Sequence, residues 1–496
     1  MEETRKVDLA AGQGFAWSRS SVIVLVVLCL APLLEYIDMT VVNVALPTIR
    51  ADLGFALPDL QWLINAYTIC FGGFFLLAGR AGDLFGRRRV FLAGVAVFTL
   101  ASLASGLAPG PGLLIGARAV QGLAAAFVVP LTLAMIAAQF PEGKPRNLAL
   151  TAWGTTTAIS ASLGLAAGGL LVTGPGWRWI FYVNLPVGVL ILVASWRYLR
   201  DDRPAQRHRT FDAVAAVTST AGLGLLTYAV VQTGAHPWHS AWTICLLAGA
   251  GALLAYFLVH ELIFAAEPLL PFSLLRNRAV AGANAVSALS GAGLVSVFYF
   301  ATLYQQQVLG YSALKTGLAY LPLTGVFMVV AGLGPVLIPR IGIRYVTAAG
   351  SLISAGSLVL LTRITPDGTL LGSVIVPTMI FGAGLAVFYI PMTVAAVYRV
   401  PPERTGVASA LVNVTRTVGG AVGLAVISTV ATSRISHQAA SGHPAGEALS
   451  SGFRLAFVIT AALLAAAAVF ALAIFRGEGR GEKINLAEVT RAGIES

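Results

Sequence analysis

Apolar runs of about 20 residues recur along this chain from Ser21 to Phe475, each long enough to cross a hydrocarbon layer about 30 Å thick as a helix. Backbone in lipid must satisfy its own N–H and C=O groups, which leaves helices and closed barrels as the only spanning structures. The alternating apolar and polar pattern of a membrane barrel is absent from the sequence. Only 11% of the 496 residues are charged, against about 25% in a soluble domain. The polar connections are too short to hold a soluble catalytic domain. The expected fold is an all-α polytopic membrane protein.

Turn signals and charge clusters divide the chain into fourteen expected spans. They fall near residues 22–46, 60–79, 90–108, 113–138, 148–172, 180–198, 213–232, 242–263, 279–305, 316–338, 345–362, 370–396, 405–431 and 453–475. The net charge of +11 is distributed as topology demands rather than as a nucleic-acid surface. With the N-terminus in the cytoplasm, about 24 of the 32 Lys and Arg lie inside and about 6 outside, with Arg118 and Arg416 within spans. Both termini are therefore expected in the cytoplasm. No small-residue cleavage site follows the first run, so it reads as an uncleaved span. Cys29, Cys70 and Cys245 lie in apolar runs without metal-like spacing and read as buried, unpaired thiols.

An internal repeat organises these spans. GRAGDLFGRRRVFLAG (79–94) follows the second, and PVLIPRIGIRYVTAAG (335–350) follows the tenth. One ungapped alignment sets Gly86, Arg88 and Gly94 on Gly342, Arg344 and Gly350. Second and tenth spans correspond if two six-helix bundles are separated by two extra helices, a repeat plan typical of secondary transporters. The boundaries read as a tail 1–21, a bundle 22–199, linker and extra pair 200–265 beginning with RDDRPAQRHRTFD, a second bundle 266–475 and a tail 476–496.

Glu35 and Asp38 break the first apolar run one helical turn apart, on one face. An ionised side chain at a bilayer centre costs roughly 2.5–3.5 kcal/mol on insertion scales, and such acids are by default proton relays or counter-ions. The bland alternative is a neutral acid hydrogen-bonded to the next helix.

Four motifs in order then carry a resemblance: DMTVVNVALP (38–47), GRAGDLFGRRR (79–89), RAVQG (118–122) and WRWIFYVNLPVG (177–188). The chain resembles the fourteen-span drug:proton antiporters of the major facilitator superfamily over nearly its whole length. The resemblance implies the major facilitator fold with fourteen transmembrane helices, two six-helix bundles plus two extra helices, working by alternating access. It also places Asp38 at the family's first-span acid, with Glu35 extra. One motif departs: in SLGLAAGGLL (162–171), Leu165 stands where the family's fifth span carries a Pro. Gly164, Gly168 and Gly169 remain, and the loss removes the cause of a kink.

Arg118 is the natural partner of Asp38. It lies about 8 Å below the outer surface and Asp38 about 12 Å, close enough for an ion pair, although an Arg there can also snorkel to the interface. In the 79–89 loop, Gly79, Gly82 and Gly86 suit a tight connection. Asp83 suits a helix N-terminus as a gate on the cytoplasmic side. Arg87 and Arg88 belong to the same gate or serve topology alone. Candidate substrate residues are Tyr36, Asn43, Trp62, Tyr67, Gln121, Trp153, Asn284, Tyr299, Tyr304, Gln305 and Asn413, since a large amphipathic ligand needs aromatic surface with few polar groups. Trp177, Trp179 and Tyr182 read as outer-interface anchors. No P-loop, zinc helix, Ser-His-Asp grouping or dinucleotide fingerprint is present in the sequence.

The expected function is proton-driven export of small amphipathic drugs or antibiotics, cationic ones included, across the cytoplasmic membrane. No cofactor, metal or enzyme activity is expected. The partners are the substrate and the lipid bilayer, not nucleic acid, and the chain is expected to act as a monomer. A dedicated exporter of one metabolite, antibiotic or lipid stands as the alternative, and a non-transporting sensor or membrane enzyme behind it.

Overall fold

The computed structural model describes residues 17–475 apart from 142–143, 201–211, 235, 266–267, 270–271, 332 and 401–404. Residues 1–16 of the expected N-terminal tail, the tail 476–496 and most of the 200–212 linker lie outside the described residues, and the first helix begins at Arg19, inside the expected tail. Six helices come first: α1 (Arg19–Leu53), α2 (Trp62–Phe85), α3 (Arg87–Gly106), α4 (Pro111–Gln139), α5 (Lys144–Thr173) and α6 (Asn184–Tyr198). The extra pair is α7 (Ala213–Val231) and α8 (Ala241–Val259). The remainder are α9 (Arg278–Leu303), α10 (Ala313–Ala331), α11 (Gly334–Leu361), α12 (Val376–Val397), α13 (Thr405–Ala440) and α14 (Ala445–Ile474). Thirteen of the described helical stretches are long and apolar enough to cross a membrane. The remaining helix, α5, has 30 residues, about 45 Å of helix, with its apolar part at Leu163–Thr173. There is no strand among the described residues.

Several boundaries move from their expected places for local reasons. The first helix runs past Pro47 to Leu53 and stops only at Gly54, which turns left-handed (φ 70) and returns its N–H to the Arg50 carbonyl. The thirteenth runs to Ala440 and turns at Gly442 (φ 82), so its last turns carry the polar sequence SRISHQAA. At the tenth and eleventh, the helix ends at Ala331 and a second starts at Gly334, with the sharp break at Gly342 (φ 83, ψ 160).

That break is half of the repeat. Gly86 makes the same excursion (φ 92, ψ 124) between α2 and α3, a conformation strained for any residue with a Cβ. The next aligned pair matches too. A Cβ on Gly94 would lie 2.9 Å from Val128 of α4, and one on Gly350 would lie 2.7 Å from the Gly384 carbonyl of α12. The sequence repeat is thus a repeat of two helix-helix seams.

Three cores arrange the halves. Fourteen alternating helices bring residues 19 and 474 to one end of the bundle, the near end. At the opposite, far end one core runs across both halves: Val41, Leu46, Leu165 and Phe181 pack in one cluster with Tyr299, Tyr304, Tyr320 and Phe453. At the near end the core splits. Leu28, Phe91, Phe98, Ile136 and Ile191 form one cluster, and Val286, Ile343, Phe388 and Ala468 another. Cross-half contacts reinforce the far end: Gln306 Nε2 donates to the Val44 carbonyl at 2.8 Å, and the Leu314 N–H donates to Thr173 Oγ1 at 3.3 Å. Leu165 joins this seal, its carbonyl packed on Gly317 where a Cβ would collide, and α5 passes through it as one uninterrupted helix. The halves are closed on each other at the far end and parted at the near end.

The extra pair lies across this division. Near the near end, Ala215, Ala216 and Phe257 pack on Leu77 of α2, and Arg80 donates to the Pro268 carbonyl at 2.6 Å. Near the far end, Val230 and Val231 pack on Ala425 of α13, and Thr429 Oγ1 donates to the Val230 carbonyl at 3.2 Å. Cysteine exposure differs from expectation: Cys29 is buried, Cys70 half-buried and Cys245 exposed on α8, all three unpaired.

Candidate functional site

Five helices contribute to the network around Asp38: α1, α2, α3, α4 and α6. From α4, Arg118 forms a close ion pair through Nη1 with Asp38 Oδ2. Asp38 Oδ1 accepts from Gln121 Nε2 at 3.1 Å and from Asn184 Nδ2 at 2.7 Å. Arg118 spends further donors on the Leu63 carbonyl (3.1 Å) and Gln121 Oε1 (3.0 Å). Gln121 Nε2 also reaches Ser102 Oγ at 2.8 Å, and Ser105 Oγ donates to Gln121 Oε1 at 3.2 Å. Asp38 and Arg118 are 0% and 1% exposed, so the pair is dry. Removing one member of such a pair strands the other charge, at about 3–5 kcal/mol.

The sequence folds this way locally because of the RAVQG spacing. Arg118 and Gln121 share a face at i, i+3. Gly122 lets α4 press on the Tyr67 backbone of α2, where a Cβ would collide. Tyr67 is thereby fixed between Arg118 and Glu35. Its ring lies under the Arg118 guanidinium, 4.4 Å from carbon Cζ, and its hydroxyl donates to Glu35 Oε1 at 2.7 Å. Glu35 differs from Asp38 in its partners. Among the described residues Tyr67 is its one donor and Oε2 has no hydrogen-bond partner, and its pocket is lined by Leu34, Val95, Phe98, Val128 and Ile191.

The loop at the near end of α2 is held to its own half. Arg87 Nη1 reaches the Ala134 carbonyl of α4 at 3.5 Å, and Arg88 makes a close hydrogen bond to the Trp196 carbonyl of α6. The surroundings of Gly79 and Asp83 lie outside the described residues.

The expected substrate residues are dispersed. Tyr36 on α1 lies within electrostatic reach of Tyr389 and Arg416 across the gap. Asn43 donates back to its own helix at the Thr40 carbonyl, 3.3 Å. Trp62 meets Tyr228 of α7 with ring centroids 6.2 Å apart, and Trp153 Nε1 donates to Thr132 Oγ1 at 2.9 Å. Asn284 Oδ1 accepts from Thr415 at 2.7 Å, and Asn413 Oδ1 accepts from Arg416 at 3.0 Å. Tyr299, Tyr304 and Gln305 are buried in the far-end seal, with the Tyr304 hydroxyl on the Thr365 carbonyl, so in this conformation they close the far end instead of lining the gap. Trp177 is likewise a buried partner of Asp52 (2.9 Å) and not an interface anchor, whereas Trp179 is exposed.

Sequence reasoning missed Asn184, Ser102, Ser105 and Tyr389. Asn184 had a signal, an amide opening the sixth span within WRWIFYVNLPVG; the two serines and Tyr389 had none. Among the described residues no group of three His, Cys, Asp or Glu is arranged to hold a metal.

Repeated helix-helix seams, halves joined at one end and parted at the other, and a buried ion network inside the first half define a membrane transporter. The chain belongs to the Major Facilitator Superfamily, whose family model matches residues 28–424. It is 41% identical over 448 residues to the cephamycin export protein CmcT of Amycolatopsis lactamdurans, covering 90% of each chain. It is 39% identical to the puromycin resistance protein pur8 of Streptomyces alboniger, over 82% of this chain and 81% of that one. A tetracenomycin C resistance and export protein of Streptomyces glaucescens is 33% identical, over 80% and 74%. Among solved structures, an auto-inhibited POT family peptide transporter superposes with TM-score 0.66 at 15% identity, over 91% of this chain and 97% of that one. An inward-facing bacterial homologue of the lysosomal transporter Spinster gives 0.66 at 16%, over 92% and 98%. At such identity the likeness is one of fold alone.

Proposed function

We propose that this protein exports small amphipathic molecules, antibiotics among them, across the cytoplasmic membrane in exchange for protons. It acts as a monomer with both termini in the cytoplasm, and it performs no chemistry on its cargo and needs no cofactor. The basic residues clustered at the near end support that orientation, and the conformation described is then the inward-facing one. The halves 22–199 and 266–475 rock about the gap between them, and the seal at Leu165, Gly317, Val44 and Gln306 opens as the near end closes.

The observation that carries this reading is the dry Asp38–Arg118 pair with Gln121 and Asn184 around it. A proton arriving at this acid pair weakens the hold on Arg118, and its four polar neighbours allow the guanidinium a second set of partners. Glu35, tied to Arg118 through Tyr67, relays the proton. The last turns of α2 with Gly79 and Asp83, the break at Gly86, and Arg87 and Arg88 of α3 act as the gate at the near end.

Reconstituted vesicles with an imposed pH gradient test it: export rises with the gradient in the wild type and is lost in Asp38→Asn. Gradient-driven export at the wild-type rate in Asp38→Asn refutes it. The cephamycin, puromycin and tetracenomycin C relatives are each named for one antibiotic, which favours a dedicated exporter as second reading. Gradient-driven movement of several unrelated compounds excludes that second reading.

A further inference from the structure

Among the described residues, the charged side chains in the middle of the bundle divide unevenly. Glu35, Asp38 and Arg118 lie together in the first half, and Arg416 lies by itself in the second. Arg416 is the twelfth residue of α13, about 16 Å along the helix from Thr405 and so midway across a bilayer. No carboxylate among the described residues pairs with it. Its neighbours are Asn413, which takes one Nη2 hydrogen bond at 3.0 Å, and Tyr389, whose ring centroid lies 4.9 Å from Cζ. Tyr36 of α1 completes the group from the opposite half. Arg416 and Tyr36 are half-buried and Tyr389 is exposed, so the patch opens on the gap between the halves.

The backbone fixes this arginine. Its carbonyl presses on Gly291 of α9 at a point where a Cβ would collide. Gly419 and Gly423 continue the same seam against Ala288 and Ala292. The helix cannot roll to carry the guanidinium elsewhere. A guanidinium has five N–H donors in a flat fork that matches a carboxylate at two points. Here Asn413 takes one donor and the Tyr389 hydroxyl another, so the fork is only partly occupied.

We propose that Arg416, framed by Tyr36 and Tyr389, is the point at which the cargo's carboxylate binds, so that the exported molecules are amphipathic anions. The inference rests on the export reading and names its cargo class. It replaces the cation expected from the aromatic residues, because a cation entering this patch meets a fixed positive charge.

The test compares 1-pyrenebutyric acid, its methyl ester and tetraphenylphosphonium, for binding to the purified full-length protein and for gradient-driven movement in vesicles. The wild type is expected to prefer the acid to the ester about tenfold or more. Arg416→Gln is expected to erase that preference while still binding the ester, and Arg416→Lys to keep part of it. An equal response to acid and ester, or an acid preference that survives Arg416→Gln, overturns the site. The wild-type preference needs no variant, so a misfolded variant does not shelter the proposal. Gradient-driven movement of the ester or of tetraphenylphosphonium without acid preference overturns the anion site and leaves export standing. No binding or movement of any of the three overturns both.

Discussion

The two halves share a scaffold and differ in their charge. Gly86 and Gly342 make the same backbone break, and Gly94 and Gly350 the same close seam. Yet the first half buries two acids and an arginine in one connected network, whereas the corresponding group in the second half has asparagines, threonine and an arginine and, among the described residues, no acid beside them. Motif residues follow the split: Asp83 in the first copy aligns with Pro339 in the second. Equal backbone with unequal charge teaches that the repeat duplicates the helix seams, while the buried acid–arginine pair on which the proposed proton coupling rests belongs to one copy.

The largest expected effect is in the first half. Asp38→Asn strands Arg118 in a dry site and should reduce gradient-driven export to background, read as initial efflux in vesicles. Arg118→Lys keeps the charge but loses the fork that serves Asp38, Gln121 and the Leu63 carbonyl together. Export about tenfold or more below wild type is expected, and near-normal export would break the assignment. Tyr67→Phe removes the hydroxyl from Glu35 and leaves the ring under Arg118. The expected loss is about 1–3 kcal/mol, because Glu35 Oε1 is left buried without its donor, seen as slower substrate-driven proton exchange. Gly94→Ala and Gly350→Ala test the shared scaffold. Each should destabilise by about 1–3 kcal/mol in thermal unfolding in detergent, and clearly unequal losses would argue against equivalent seams. The smallest effect belongs to Thr429→Val, which removes one bond to the extra pair and should cost about 0.5–1.5 kcal/mol in the same assay.

Much of this was legible in the sequence, for physical reasons. Apolar run length gave the helices because lipid forbids unsatisfied backbone, and Gly86 aligned on Gly342 because only glycine tolerates the break. Asp38 and Arg118 stood out because ionised side chains inside apolar runs are costly. The rest was hidden because it depends on which helices touch. Ser102 and Ser105 are ordinary helix residues until Gln121 arrives from another helix. Tyr299 and Tyr304 read as cavity lining but close the far end, a distinction that depends on how the halves meet. Helix ends also escaped, since Gly54 and Gly442 stop α1 and α13 beyond the apolar runs.

The central claim concerns the proton site on α1, and substrate-driven proton release reads it directly. Proteoliposomes loaded with a pH-sensitive dye are given a transported compound, with wild type beside Asp38→Asn. Proton movement in the wild type and none in Asp38→Asn, with compound binding retained in both, is the predicted result. Proton movement at the wild-type rate in Asp38→Asn would contradict it.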